Sequence, residues 1–168
     1  MKICIFTTFF YPEEFKVNDL AFELAKRGHK VTVVTAVPNY PQGKFFDGYS
    51  IFKRKHEIIN GVEIFRLPVI PRGKGAGILL ALNFFSHLFF AMFFTFFHAL
   101  FTKYDVVFVH GNSPLTIGKP AKLMSRIQQI PMVFWVLDLW PESIVSASNF
   151  RNGIVLSLVN HMIVGFYK

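Results

Sequence analysis

Two side chains stand where an apolar run stops: Asp138 follows Met132 to Leu137 (MVFWVL) and is braced by Trp140-Pro141, and His110 closes Asp105 to His110 (DVVFVH). A carboxylate in such a place is costly to desolvate without a partner, which marks it for proton transfer or for holding a polar ligand. A histidine there can act as a base or hydrogen-bond a hydroxyl, or serve the fold alone. Glu142 caps a following helix or shares the site of Asp138. A third polar segment, Thr8 to Asn18, holds Glu13 and Lys16 but no glycine. It is neither a GxGxxG dinucleotide loop nor a Walker P-loop. Lys16 and the amides beyond Asn18 can still hold a phosphate, or the segment is a capped surface loop. The histidines show no HxH or HExxH spacing and the one cysteine forms no CxxC, so a metal site has no support. No Ser-His-Asp or Cys-His nucleophile can be assembled either.

These residues meet only if the runs that carry them are neighbours in one sheet. Lys2 to Thr7 (KICIFT), Lys30 to Ala36 (KVTVVTA), Asp105 to His110 and Met132 to Leu137 read as buried strands. Between the first two, Asn18 reads as the N-cap of a helix over Asp19 to Arg27, with Leu20, Leu24, Ala21 and Ala25 at helical spacing and Gly28 as C-cap. Strand, helix and parallel strand with short links form a βαβ unit. A loop rich in Pro, Gly and aromatics, Val37 to Tyr49, follows. Asn60-Gly61, between Phe52 to Ile59 and Val62 to Val69, predicts a hairpin with a type I′ turn. Pro71 to Gly77 is a basic link, Ser113-Pro114 predicts a helix start that Pro120 interrupts or delays, and Gly153 to Tyr167 predicts a last helix. The expected class is α/β: an open, mostly parallel sheet with helices on both faces and a hairpin, in a single domain over residues 1–168. Ligands of such sheets collect at the carboxyl ends of the strands. The chain stops on a helix where the alternation would next deliver a strand, which predicts a longer polypeptide.

The 168 residues are 52% hydrophobic and 17% charged, against roughly 25% charged in an average soluble domain, which excludes a disordered tail, a coiled coil or a collagen-like rod. A net charge of +8 suits an anionic partner. The bases form no stripe interleaved with exposed aromatics, so nucleic acid is not the expected one. The single cysteine, Cys4, excludes an internal disulfide and points to a reducing compartment. Met1 to Tyr11 lacks a small-residue cleavage site, so it reads as mature protein rather than signal peptide.

Of 22 phenylalanines, nine lie between Phe84 and Phe101, inside a stretch from Gly75 to Thr102 that has no charged residue. As a helix, Leu79 to Phe101 runs about 35 Å, long enough to cross a bilayer. A crossing would place strands that belong to one sheet on opposite sides of a membrane, which argues against it. Asn83, Ser86, His87, Thr95 and His98 share one half of the helical wheel, with Ala91 among them. Two arrangements satisfy that pattern. Either the helix lies in a membrane surface, its phenylalanines in the acyl boundary and Arg72, Lys74 and Lys103 near lipid phosphates, or it is a core helix with His87 and His98 satisfied by neighbours.

The run FTTFFYPEEFKVNDLAFELAKRGHKVTVVTAVPNYPQGKFFDGY, with LPVIPRGKG, SPLTIGKPA and VLDLWPES, resembles the amino-terminal domain of glycosyltransferase family 4. Within that family it is most similar to the WbuB-type transferases, which build bacterial cell-surface polysaccharide on a lipid carrier. The resemblance implies the Rossmann-like N-terminal, acceptor-side lobe of a GT-B enzyme, with a C-terminal lobe that binds a nucleotide-sugar as co-substrate absent here. It also implies retention of anomeric configuration without cofactor or metal, and a fragment that is inactive alone. The implied partners are the nucleotide-sugar, a lipid-linked glycan acceptor, the second lobe and, through helix 79–101, the inner face of a bacterial plasma membrane. Asp138 matches the aspartate of a His-Asp pair common in relatives, whereas Leu137 stands at the histidine. Two glycines that relatives carry in the first loop are replaced over Glu13 to Lys16. By this correspondence Asp138 and His110 lie near the reacting hydroxyl. Glu13, Lys16, Asn39 and Tyr40 line the acceptor cleft, and Arg72 and Lys74 face a lipid diphosphate or are solvated linker residues. The competing expectation is a non-enzymatic membrane-docking or binding module of the same fold.

Overall fold

A computed structural model describes residues 1–75, 77–112 and 115–137. Asp138, Glu142, the Ser113-Pro114 helix start and the helix expected over Gly153 to Tyr167 lie outside the described residues. The elements are β1 (Lys2–Phe6), α1 (Lys16–Lys26), β2 (Lys30–Ala36), β3 (His56–Ile59), β4 (Val62–Leu67), α2 (Gly77–Phe101), β5 (Val106–Gly111), a single 3₁₀ turn (Leu115–Ile117), α3 (Gly118–Gln128) and β6 (Met132–Val136). Six strands form one sheet in the order β3-β4-β2-β1-β5-β6. Every neighbour pair is parallel except β3 with β4. The α/β class, the mostly parallel open sheet and the hairpin are as the sequence predicts.

Period-2 alternation divides the core into two layers. Ile3 and Ile5 of β1 point to one face, where Val33, Val62 and Ile64 pack with Val17 and Ala21 of α1. Cys4 and Phe6 point to the other, where Val107 and Val109 pack with Ala91 and Ala99 of α2 and with Ala121 and Met124 of α3. Burial pushes the Cys4 thiol far up, so it behaves as a small apolar core group. At the hairpin, Asn60 and Gly61 have φ of 49° and 79°, both in the region a type I′ turn requires, and Ile59 pairs with Val62. The strands are shorter than the apolar runs, beginning at His56 and ending at Leu67.

One helix boundary departs from expectation. α1 begins at Lys16 after Phe15, so Asn18 is the third residue of the helix rather than its cap. Its side chain is buried: Oδ1 accepts from the Tyr11 N–H at 3.2 Å and Nδ2 donates to the Glu13 carbonyl at 2.7 Å. An asparagine that satisfies the backbone of the preceding loop in this way has the signature of a cap without its position. At the other end, Pro120 sits in the first turn of α3, where a missing N–H costs nothing, so it delays the helix rather than breaking it.

α2 starts two residues before the predicted helix, and its polar and small residues face inward. Asn83, His87, Ala91, Thr95 and Ala99 recur every fourth residue, and all are buried. Phe85, Phe89, Phe93, Phe97 and Phe101 recur at the same spacing and are 69%, 66%, 61%, 47% and 86% exposed. The alanines admit close approach to the sheet. Asn83 fixes the rotation, since its Nδ2 donates to the Ile70 carbonyl at 2.7 Å and to Asn39 Oδ1 at 3.2 Å. Ser86 adds a second tie, accepting from the Ile70 N–H and donating to the Asn83 carbonyl, each at 3.0 Å. α2 therefore covers the sheet with its polar and small stripe and leaves the phenylalanine ridge outward. His98 does find a neighbour in Tyr104, but His87 Nε2 and Thr95 Oγ1 are buried with no partner among the described residues. α2 is long and apolar enough to cross a membrane, yet strands on either side of it in sequence are directly paired, Ile3 with Val106 and Phe6 with Val109. It therefore does not divide the molecule.

Replacing Asn83 with leucine adds apolar surface to a buried helix face, so area alone favours the change. The geometry predicts the opposite: two lost hydrogen bonds should lower unfolding free energy by about 1–3 kcal/mol in denaturant titrations. A variant as stable as the parent would show that these bonds do not orient the helix.

Candidate functional site

All five parallel strands end on one rim, and the chain crosses from one half of the sheet to the other between β1 and β5. β1 leads through α1 to β2 on one side, while β5 is reached through α2 from the far side of the sheet. Such a switch point leaves a crevice at the strand ends that ligands occupy. Gly111, the last residue of β5, is required there: a Cβ would come within 2.2 Å of the Phe134 ring on β6.

Thr7 and His110 sit side by side at this point. The imidazole Nδ1 lies 3.2 Å from Thr7 Oγ1, and that hydroxyl donates to the Phe9 carbonyl at 3.0 Å. With its proton so committed, the hydroxyl accepts from Nδ1–H, which leaves Nε2 as the nitrogen with the lone pair. Trp135 packs edge-on to the ring at 5.5 Å. Burial pushes the imidazole down from 6.5 to about 4, so near neutral pH it is an uncharged acceptor or base. Two further residues of the rim lie in strand-end segments that the sequence marks without singling them out. Thr8 Oγ1, and both polar atoms of the Asn112 amide, are buried without a partner among the described residues. The available signal was the placement of paired polar residues, Thr7-Thr8 and His110 to Asn112, just past apolar runs. Unpaired groups of this kind are costly to bury, so a hydroxyl that reached and satisfied them would gain that cost back.

A second cluster lies where the first loop, the loop after β2 and the β4–α2 link meet. Glu13 is buried, with Oε1 accepting from the Asn39 and Tyr40 N–H groups at 2.9 and 2.7 Å, and Oε2 from Phe10 N–H at 3.2 Å. Desolvation raises its carboxyl from 4.5 to about 7, against the three N–H groups and Arg72, which all favour the charged form. Asn39 Oδ1 accepts from the Arg72 N–H and from Asn83, and Nδ2 donates to the Val37 carbonyl at 2.9 Å. The polar groups of Glu13 and Asn39 are thus spent on the fold. Tyr40 is partly exposed and clusters with Phe9 and Phe15 at 5.1 and 5.6 Å between ring centroids. The Arg72 guanidinium lies over the Tyr40 ring at 4.9 Å and over Phe9 at 5.9 Å, an arrangement worth about 0.5–1 kcal/mol at an exposed site. So the structure joins Glu13, Asn39, Tyr40 and Arg72. Lys16, in the first turn of α1, and Lys74, two residues past Arg72, are exposed. His110 belongs to the separate Thr7 cluster. Among the described residues no three His, Cys, Asp or Glu side chains could hold a metal ion.

Residues 14–159 match the family model for a glycosyl transferase 4-like domain. The chain belongs to that family. No curated protein matches it. The six-stranded lobe is the Rossmann-like α/β lobe of a glycosyltransferase of GT-B type, and its substrates are a sugar donor and an acceptor. For a glycosyltransferase the two clusters supply complementary chemistry. Neutral Nε2 of His110 and the Thr8 and Asn112 groups suit hydroxyls, while Arg72, Lys74 and Lys16 suit an anion.

Glu13 makes the rim pH-sensitive. Its folded value lies above the ordinary 4.5, so its contribution to stability is fully present below that pH and lost as pH rises through about 7. The unfolding free energy of the parent, measured relative to Glu13→Gln, should fall by about 3 kcal/mol over that window. A flat difference would mean that the carboxylate is better solvated than its burial implies.

Proposed function

We propose that this chain is the acceptor-side lobe of a retaining glycosyltransferase of WbuB type, moving a sugar from a nucleotide-sugar to a lipid-linked glycan in bacterial cell-surface polysaccharide synthesis. It acts with a second lobe that binds the donor, needs no metal or cofactor, and works as a peripheral protein on the inner face of the plasma membrane. The observation that carries this reading is the outward apolar stripe of α2. Twenty-five helical residues extend about 37 Å, and a contiguous apolar patch of that size marks an interaction surface. Residues 75–102 hold no charge, and Arg72, Lys74 and Lys103 flank the helix at its two ends. That arrangement suits an interface with phenylalanines in the acyl boundary and cations among anionic headgroups.

In the proposed reaction an acceptor hydroxyl oxygen bonds to the anomeric carbon while the bond from that carbon to the nucleoside diphosphate breaks. The hydroxyl proton must leave. His110 Nε2 and Asp138 are the groups proposed near that hydroxyl, and a positioned acceptor of a proton contributes roughly 10²–10⁴-fold. Glu13 and Asn39 act by shaping the acceptor cleft, Tyr40 and Lys16 line it, and Arg72 and Lys74 meet the acceptor diphosphate.

Two experiments test these assignments. Cations near an anionic surface contribute about 1 kcal/mol each, so Arg72→Glu with Lys74→Glu should weaken binding to phosphatidylserine vesicles roughly thirtyfold in co-sedimentation. Undiminished binding would remove the electrostatic half of the reading. In the enzyme with both lobes present, Asp138→Asn should cut turnover of lipid acceptor about a hundredfold or more while circular dichroism stays unchanged. Parental turnover would take Asp138 out of the chemistry, and no turnover by the parent on any nucleotide-sugar would favour a docking module.

A further inference from the structure

Along the flank of α2 beside the end of β4 lies an open groove of about 450 Å³, bounded by Leu67, Pro68, Phe90, Phe93 and Phe97, with Phe101 at its far end. This volume falls within the range of small-ligand pockets. One polar side chain, His98, faces it. That imidazole is already committed: Nε2 is 2.7 Å from the Tyr104 hydroxyl, and its ring stacks on Phe94 at 4.8 Å and meets Phe65 edge-on at 5.2 Å. The groove therefore favours an apolar occupant over a sugar or an anion.

Its shape narrows the choice further. From Phe90 to Phe101 the helix advances about 16 Å, so an apolar lining of that length suits an extended hydrocarbon chain better than a compact ring. α2 begins at the rim, which makes the Phe90 end the one nearer the site. Pro68, on the groove wall, is four residues from Arg72, a reach of at most about 14 Å even for extended backbone. A molecule with an anionic head at Arg72 and a hydrocarbon tail can thus span both. We propose that the groove holds one hydrocarbon chain, that of the acceptor lipid, while Arg72 holds its diphosphate. This deepens the lipid-linked acceptor reading and rests on it. The groove takes one chain out of the bilayer, whereas the outer stripe of Phe85 and Phe89 meets the bilayer itself.

Calorimetry on the 168-residue chain with farnesyl diphosphate and with inorganic diphosphate, beside co-sedimentation with phosphatidylserine vesicles, separates the two contacts. Farnesyl diphosphate should bind at least about tenfold more tightly than inorganic diphosphate. Pro68→Trp with Phe90→Trp fills the groove from residues off the outward ridge and keeps its surface apolar, so it should abolish that gain and leave vesicle binding unchanged. Phe85→Ser with Phe89→Ser should do the reverse. Should the filled variant fail to fold, a benzophenone-bearing farnesyl diphosphate on the parent must label the peptide spanning residues 90–101. No gain from the farnesyl chain, an unaffected filled variant, or labelling elsewhere would overturn the proposal. So would self-association that the filled variant abolishes, which would give the groove to a second copy. A farnesyl gain without vesicle binding would sink the bilayer contact alone.

Discussion

Asn39 holds four pieces of chain at once. Its backbone N–H goes to Glu13 in the first loop, its amide nitrogen to Val37 behind it, and its amide oxygen receives the Arg72 N–H and the side chain of Asn83. Asn83 is on α2, so this knot sets how the helix is turned as well as where the rim loops lie. Burying Asn83 would be costly without partners and costs little with two of them. Once it faces inward, the i+4 ridge of phenylalanines must face out. Each large apolar side chain left in water forgoes roughly 1.5–3 kcal/mol that burial would supply. A fold that accepts this along a whole helix leaves that stabilisation to be gained from an apolar partner, which is the energetic basis of the proposed contact with lipid.

Desolvation acts on the rim in one direction for acids and in the other for bases, and both shifts favour the uncharged form. Glu13 is lifted to about 7, and His110 is lowered to about 4. Near neutral pH His110 is therefore uncharged and Glu13 only partly ionised, while Lys16 and Lys74 are exposed and the half-buried Arg72 guanidinium lies over Tyr40. A rim with a neutral imidazole inside and cations outside suits a ligand with hydroxyls at one end and phosphate at the other. Arg66 has a supporting part: almost wholly buried, it pairs with Glu57 and donates to the Tyr11 carbonyl at 3.0 Å, joining the first loop to β4.

Much of the scaffold was readable from short-range pattern. KICIF, KVTVVTA and VVFVHG are apolar on both faces because helices cover both faces of a parallel sheet, and Asn60-Gly61 names its turn because few other residues tolerate positive φ twice in succession. His110 stood out because polarity at the end of a buried strand is conspicuous. Asn18 was misplaced because a side chain that bonds backbone N–H and C=O groups looks the same in a list of residues whether it precedes a helix or sits in its first turn. Glu13 and Asn39 were expected to face ligand, yet nothing in their neighbours along the chain announces partners 26 and 33 residues away. Thr8 and Asn112 were not singled out within their strand-end segments because an unpaired buried atom is defined by what surrounds it.

The α/β class, the strand order's parallel character and the glycosyltransferase family were carried by the linear sequence, since hydrophobic period, turn chemistry and family motifs are local properties of a chain. The two stripes of α2 were also written there, one polar and small, the other wholly phenylalanine. Which stripe would be buried was not. Transfer free energy alone would put the phenylalanines inside. The choice was made by a hydrogen-bonded junction among Asn39, Asn83, Ser86 and Ile70, residues that become neighbours only once β2, β4 and α2 have packed, and whose bonds acquire their value from the exclusion of water that this packing creates.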